Sequence, residues 1–207
     1  RLLPMVTFLA AALGMVVIGQ TVALLSRVGA TEFLGPVMVT VVVREVGPLV
    51  TALLVLARVG TSTVIELGTA RLLGEVEALE ALGIDPIHYL VVPRVIGMSV
   101  AVFSLTVYFV LVSLISGYAF VFLQEVPMQP ADYFHQLAQA LRWEDFVTVG
   151  LKTLGFGVLI AMITCYHGLS QPLRLDDVST ATLRAVGQSV VLCVLLDACF
   201  ILFNLLL

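Results

Sequence analysis

The sequence predicts an all-α integral membrane protein with about five transmembrane helices and a short amphipathic helix on the cytoplasmic side, in a single membrane domain over residues 1–207. Three observations carry this. Of the 207 residues, 60% are hydrophobic and 12% charged, with a mean hydropathy of +1.13; a soluble domain is about a quarter charged and at most half apolar. A chain this short cannot bury so much apolar surface in a core of its own, so its solvent is lipid. The apolar runs are also continuous, without the in–out alternation of a barrel strand, and this leaves helices as the spanning elements.

A bilayer core of about 30 Å takes roughly 20 helical residues. Five runs meet that length, at about 4–25, 34–58, 91–122, 146–168 and 180–206. The first could pass for a signal peptide. No small-residue cleavage site with a soluble domain follows it, and more spans do, so it reads as a spanning helix. Arg1 stands where a Met would open a complete chain, and a preceding segment is expected. Arg1, Arg71, Arg94, Arg174 and Arg184 fall on one side of this topology; Arg27, Arg142 and Lys152 fall at the other. The excess of arginine sets the N-terminus in the cytoplasm and the C-terminus outside.

Between the second and third runs, residues 71–83 read RLLGEVEALEALG. Leu73, Val76, Leu79 and Leu82 recur every three residues as one apolar stripe, with Glu75, Glu77 and Glu80 mainly on other faces. Gly83 is a natural stop, and Asp85 and Pro86 favour a turn. The segment is too polar to span. A helix lying on the membrane is one reading, but such helices carry basic faces, and an acidic one is repelled by an anionic leaflet. Docking a protein partner is the favoured reading.

Charge inside a span is costly and marks function or pairing. The second run holds Arg44, Glu45 and Arg58; the fourth holds Lys152 and the fifth Asp197. Arg44 and Glu45 are adjacent and point about 100° apart, so each needs a partner elsewhere. Depth along the helices, at about 1.5 Å per residue, brings Lys152 and Asp197 into the outer half of the bilayer, within about a turn or two of one another. A polar cluster of Arg44, Glu45, Lys152 and Asp197 lining a cavity is expected, with buried salt bridges between helices as the plainer alternative. Gly47 and Pro48 would open the second span beside these charges, or only kink it for packing. In the outer stretch 123–145, Pro127, Pro130, Tyr133, Phe134, Leu137, Leu141 and Trp143 suggest a belt anchor, with an interfacial helix or re-entrant element as the alternative.

Other classes are disfavoured. Ten basic against 14 acidic residues give a net charge of −4, which argues against nucleic acid and a polybasic anchor. Cys165, Cys193 and Cys199 lie in apolar runs without C-x-x-C spacing and read as small apolar residues. No phosphate-cradling P-loop, H-E-x-x-H or G-x-S-x-G motif occurs. His88, His135 and His167 are scattered, so neither metal ligation nor catalysis is expected, and the chain is not read as an enzyme.

Residues 44–96 carry an ordered pattern: Arg44, Glu45, Gly47, Pro48; Arg58, Gly60; Glu66, Gly68; the acidic segment; Gly83, Asp85, Pro86; and Pro93, Arg94. This resembles the MlaE (YrbE-like) permease family, the membrane subunits of MCE-associated ABC transporters. The likeness continues more weakly through Lys152, Cys165–Tyr166 to Gly168, and Asp197. Family members usually begin with an amphipathic interfacial helix, absent here.

The resemblance implies an MlaE-type ABC permease fold, in a homodimer in the bacterial inner membrane. It implies a cytoplasmic ABC ATPase that grips 71–83 and holds the ATP and Mg, so that this chain binds no cofactor. It also implies a periplasmic MCE-domain lipid-binding protein and, in some systems, a STAS-domain protein. Phospholipid or another lipid would be the cargo. Arg44, Glu45, Gly47, Pro48, Lys152 and Asp197 would serve the lipid cavity. Glu75, Glu77, Leu79, Glu80, Leu82, Gly83, Asp85 and Pro86 would serve ATPase coupling. The alternatives are an ion-driven transporter working through Glu45 and Asp197, a scaffold, and, least favoured, an intramembrane enzyme.

Overall fold

The structure is a computed structural model that describes residues 3–29, 33–123, 130–170 and 175–206. Among the described residues every regular element is helical. Arg1 and Arg174, used above for orientation, lie outside them, as does Pro127.

Helix α1 spans Leu3–Val28. Pro4 sits in its first turn, where a missing N–H costs nothing. Gly29, at φ +72°, follows as the left-handed residue that ends it.

The second helical path, α2, runs without a break from Leu34 to Leu72 through five segments: Leu34–Met38, Val39–Val46, Gly47–Val55, Leu56–Gly60 and Thr61–Leu72. The second and fourth are π-wound. Sequence reasoning ended this span at Arg58; it continues to Leu72. The threonine hydroxyls beyond Arg58 are satisfied within the helix. Thr61, Thr63 and Thr69 donate their hydroxyls to Ala57 O, Val59 O and Ile65 O at 2.8–2.9 Å, the back-bonding habit of helical threonine.

The helix expected over 71–83, α3, is shorter than predicted, Glu75–Ala81. Arg71 and Leu72 close α2, and Gly74 turns the chain at φ +75°. Gly83, also at φ +75°, stops α3. The apolar stripe is correspondingly curtailed. Val76 is buried and Leu79 half-buried, whereas Leu73 and Leu82, just off the helix ends, are 71% and 75% exposed. Asp85 accepts the Ile87 N–H at 3.0 Å and so caps the next helical turn.

That turn, π-wound over Ile87–Val91, leads into α4, Val92–Leu123. Then come α5 (Pro130–Ala140), α6 (Trp143–Leu169) and α7 (Leu175–Leu206). Five stretches are long and apolar enough to cross a membrane: Leu3–Leu25, Gly35–Leu72, Ile87–Ala119, Trp143–Leu169 and Val178–Asn204.

The chain divides into two compact units, residues 1–51 with 104–151, and residues 52–103 with 152–207. In the first, Ile18, Val22, Met38, Val42, Leu114 and Tyr133 form the core. Ser113 Oγ donates to Ala10 O at 3.0 Å, and Gly14 lies so close that a Cβ would meet Ser113 O at 2.4 Å. Tyr133 carries α5 onto this core, stacking with Tyr118 and Phe134. Trp143 is 73% exposed. In the second unit Val64 packs with Val178, Ala181 and Ala185. A Cβ on Gly157 would meet Ser99 Cα at 2.3 Å, so glycine there sets the approach of the helix backbones.

Candidate functional site

In the first unit, Arg44 leaves the π segment Val39–Val46 and meets Asp145, in the first turn of α6, at Nη2–Oδ1 2.5 Å. Asp145 is fixed from its other side: Oδ2 accepts the Arg142 N–H at 2.9 Å, and its own N–H donates to Arg142 O at 3.1 Å. The carboxylate side chain is 5% exposed and the Arg44 side chain 32%. Glu45 is half-buried.

Sequence reasoning missed Asp145 because it was counted in the outer loop, one residue before the fourth run. Its position as an acidic residue in a helix's first turn was the available signal. Gly47 permits close packing: a Cβ would stand 2.9 Å from both Val110 Cγ2 and Val42 O. Pro48 does not break the helix. The path is π-wound just before it, with Gly47 N–H donating to Val42 O, an adjustment that absorbs a proline and recurs at functional sites.

In the second unit, Lys152 is 2% exposed and its Nζ lies 2.6 Å from Asp197 Oδ1. The contact is an ion pair more than a directed hydrogen bond, since Oδ1 lacks hydrogen-bond geometry. The depth argument from sequence therefore brought the right two residues together. Within the first unit the described ion pair is Arg44–Asp145, and within the second Lys152–Asp197. Arg58 is exposed on the π segment Leu56–Gly60.

Glu75, Glu77 and Glu80 are all exposed on α3. Glu80, Asp85 and Pro86 border a pocket of ≈ 590 Å³, whose opposite wall includes Met162 and Tyr166, 59% and 68% exposed. The short helix thus offers carboxylates, the two apolar side chains Leu73 and Leu82, and an adjoining groove on one stretch of surface.

The profile of the family described as Permease MlaE matches residues 1–203. The chain belongs to the MlaE permease family. This MlaE-family chain is 32% identical over 164 residues to a probable ABC transporter permease protein of Rickettsia prowazekii, covering 79% of this chain and 63% of that protein. It is 34% identical over 137 residues to a probable ABC transporter permease protein of Synechocystis, covering 66% and 52%. To the chloroplastic protein TRIGALACTOSYLDIACYLGLYCEROL 1 of Arabidopsis thaliana it is 32% identical over 157 residues, covering 73% and 43%. The matched part thus spans less than two thirds of the length of these MlaE-family relatives.

Proposed function

We propose that this chain is the permease subunit of an ABC transporter that moves phospholipid or a related lipid between the bacterial inner membrane and a periplasmic MCE-domain partner. The chain works as a homodimer, with its N-terminus cytoplasmic and its C-terminus periplasmic. A separate cytoplasmic ATPase binds ATP and Mg and hydrolyses ATP; a STAS-domain protein joins it in some assemblies. The observation that carries this reading is α3. It is a short acidic helix between two spans, with Val76 buried, its ends set by Gly74 and Gly83, and its carboxylates exposed. That is a rigid grip for a partner to push. Family membership and relatives named as ABC transporter permeases support the same role. The name of the Arabidopsis relative, which is that of a galactolipid, supports a lipid cargo.

ATP-driven closure of the ATPase would move α3 and, through it, the ends of α2 and α4. Arg44 is the residue best suited to a phosphate headgroup. Asp145 orients its guanidinium, whose planar fork suits bidentate contact with phosphate oxygens. Lys152 would reach a headgroup only when its pair with Asp197 opens; closed, that pair holds α6 to α7. Gly47 gives the helix next to Arg44 its close packing, and Pro48 follows it just beyond the π-wound segment.

Glu77→Lys combined with Glu80→Lys tests the coupling role. Reconstituted with its ATPase, this variant should retain lipid binding and lose transport of labelled phospholipid to the MCE partner by about tenfold or more, as expected when like charges replace complementary ones at a docking surface. Undiminished transport would overturn the reading.

A further inference from the structure

A polar pocket in the second unit lies apart from the coupling groove. It measures ≈ 370 Å³ and is lined by Val59, Ser62, Thr63, Glu66, Arg94, Gly97 and Met98. Glu66 Oε2 stands 3.2 Å from Arg94 Nη2, and Ser62 Oγ donates to Glu66 Oε1 at 2.9 Å. The two charged side chains remain 60% and 28% exposed. Among the described residues Glu66 is the only ion-pair partner of Arg94, which leaves most of its five N–H donors open.

The depth of the pocket matters. Glu66 lies six residues before the end of α2 at Leu72, and Arg94 seven residues after Ile87, where the next candidate span begins. At about 1.5 Å per residue both sit about 10 Å in from helix ends that α3 joins on one membrane face. The span Gly35–Leu72 has 38 residues; at about 57 Å it exceeds the roughly 30 Å hydrocarbon core. Its terminal turns therefore stand at the boundary between acyl chains and headgroups. A ligand-sized pocket at that level, with one cation and one anion on its wall and open to the outside, matches a ligand that carries both signs.

We propose that Glu66 and Arg94 form a receptor for a zwitterionic phosphate-ester headgroup of the phosphoethanolamine type. Arg94 donates to the phosphate oxygens, and Glu66 accepts from the ammonium. The carboxylate repels headgroups that carry only negative charge. A quaternary ammonium has no N–H to donate, so phosphatidylcholine is the weaker ligand. The receptor goes beyond the transport reading and needs only that these helices cross a membrane. Whether it loads the carrier or anchors it, headgroup preference is its signature.

Gly97 supplies a clean probe. A Cβ there meets nothing within 4 Å, so the backbone accepts a side chain, and Gly97→Leu should occupy the pocket from its wall. The experiment is native mass spectrometry of the delipidated chain, titrated separately with short-chain phosphatidylethanolamine, phosphatidylglycerol and phosphatidylcholine, and with inorganic phosphate. Wild type should hold phosphatidylethanolamine most tightly. Glu66→Gln should lose most of the preference over phosphatidylglycerol, and Arg94→Gln and Gly97→Leu should weaken phosphatidylethanolamine binding by about tenfold, with Arg94→Lys between, because a point charge lacks the guanidinium fork. Comparing each variant with wild type isolates this pocket from lipid bound elsewhere on the chain. Unchanged binding and preference in Gly97→Leu and Glu66→Gln, whatever their thermal stability, would reduce the pair to a clasp between helices and overturn the proposal. Inorganic phosphate binding as tightly as the lipids would overturn it in favour of a free-anion site.

Discussion

At the scale of single residues, buried charge decides most of the chemistry. Lys152 is enclosed, and Asp197 is its counterion at 2.6 Å. Asp197→Ala removes this counterion from a buried ammonium and should cost about 3–5 kcal/mol, whereas Lys152→Met with Asp197→Leu removes both charges and should recover most of that loss. Thermal unfolding in detergent reads the difference; a double variant no better than the single would show that the two side chains do not balance each other. This pair was legible in the sequence because helical depth is a counting argument. Asp145 was not, because its role depends on where α6 begins, and helix ends are poorly marked when Trp143, Glu144 and Asp145 read as loop. Tyr133 is a second case. It is fully buried, its O–H reaches toward Leu114 O at 3.4 Å, and burial pushes its phenol up to about 12 from 10.0. The folded state thus favours the neutral phenol. Its contribution to stability is constant below pH 10 and is lost as pH rises from there through about 12, by up to roughly 3 kcal/mol. Melting curves from pH 9 to 12 should show wild type falling more steeply than Tyr133→Phe; parallel curves would mean that the phenol ionises without leaving the core.

At the scale of elements, boundaries are where sequence reasoning and structure part. The four apolar runs other than the second were placed to within a few residues, since lipid solvation needs length and little else. The second was cut short at Arg58 because charge and hydroxyls lower hydropathy, while back-bonded threonines let the helix proceed. The π windings were invisible, because they answer to packing rather than composition. Small residues at helix contacts were equally hard to read, as no G-x-x-x-G occurs in the chain. The structure instead uses single glycines: Gly14 against Ser113, and Gly157 against the Ser99 backbone. Gly157→Ala puts a methyl 2.3 Å from Ser99 Cα, which only separation of the backbones relieves. It should destabilise by about 1–3 kcal/mol, the usual range for overpacking, whereas Gly187→Ala, with nothing within 4 Å, should be neutral or slightly stabilising as helix propensity improves. Equal melting temperatures for the two variants would remove the close-contact argument.

At the scale of the whole molecule, topology converts these local features into function. The proposed coupling role requires α3 on the cytoplasmic face, and α5 belongs on the other face if Ile87–Ala119 crosses once between them. Glu77 and Asp132 are exposed on α3 and α5, so cysteines at these positions report the two faces. Cys165 and Cys193 are buried; Cys199 is exposed and is replaced by Ser for the experiment. A membrane-impermeant maleimide added to intact spheroplasts should label Asp132→Cys and spare Glu77→Cys, which becomes reactive only after the membrane is permeabilised. Labelling of both positions from one side would mean that α4 does not cross, and the five-span topology would fall. Labelling of Glu77→Cys alone in intact spheroplasts would keep five spans but invert them; α3 would then face away from any cytoplasmic ATPase, and the coupling role would have to be abandoned although the fold stood.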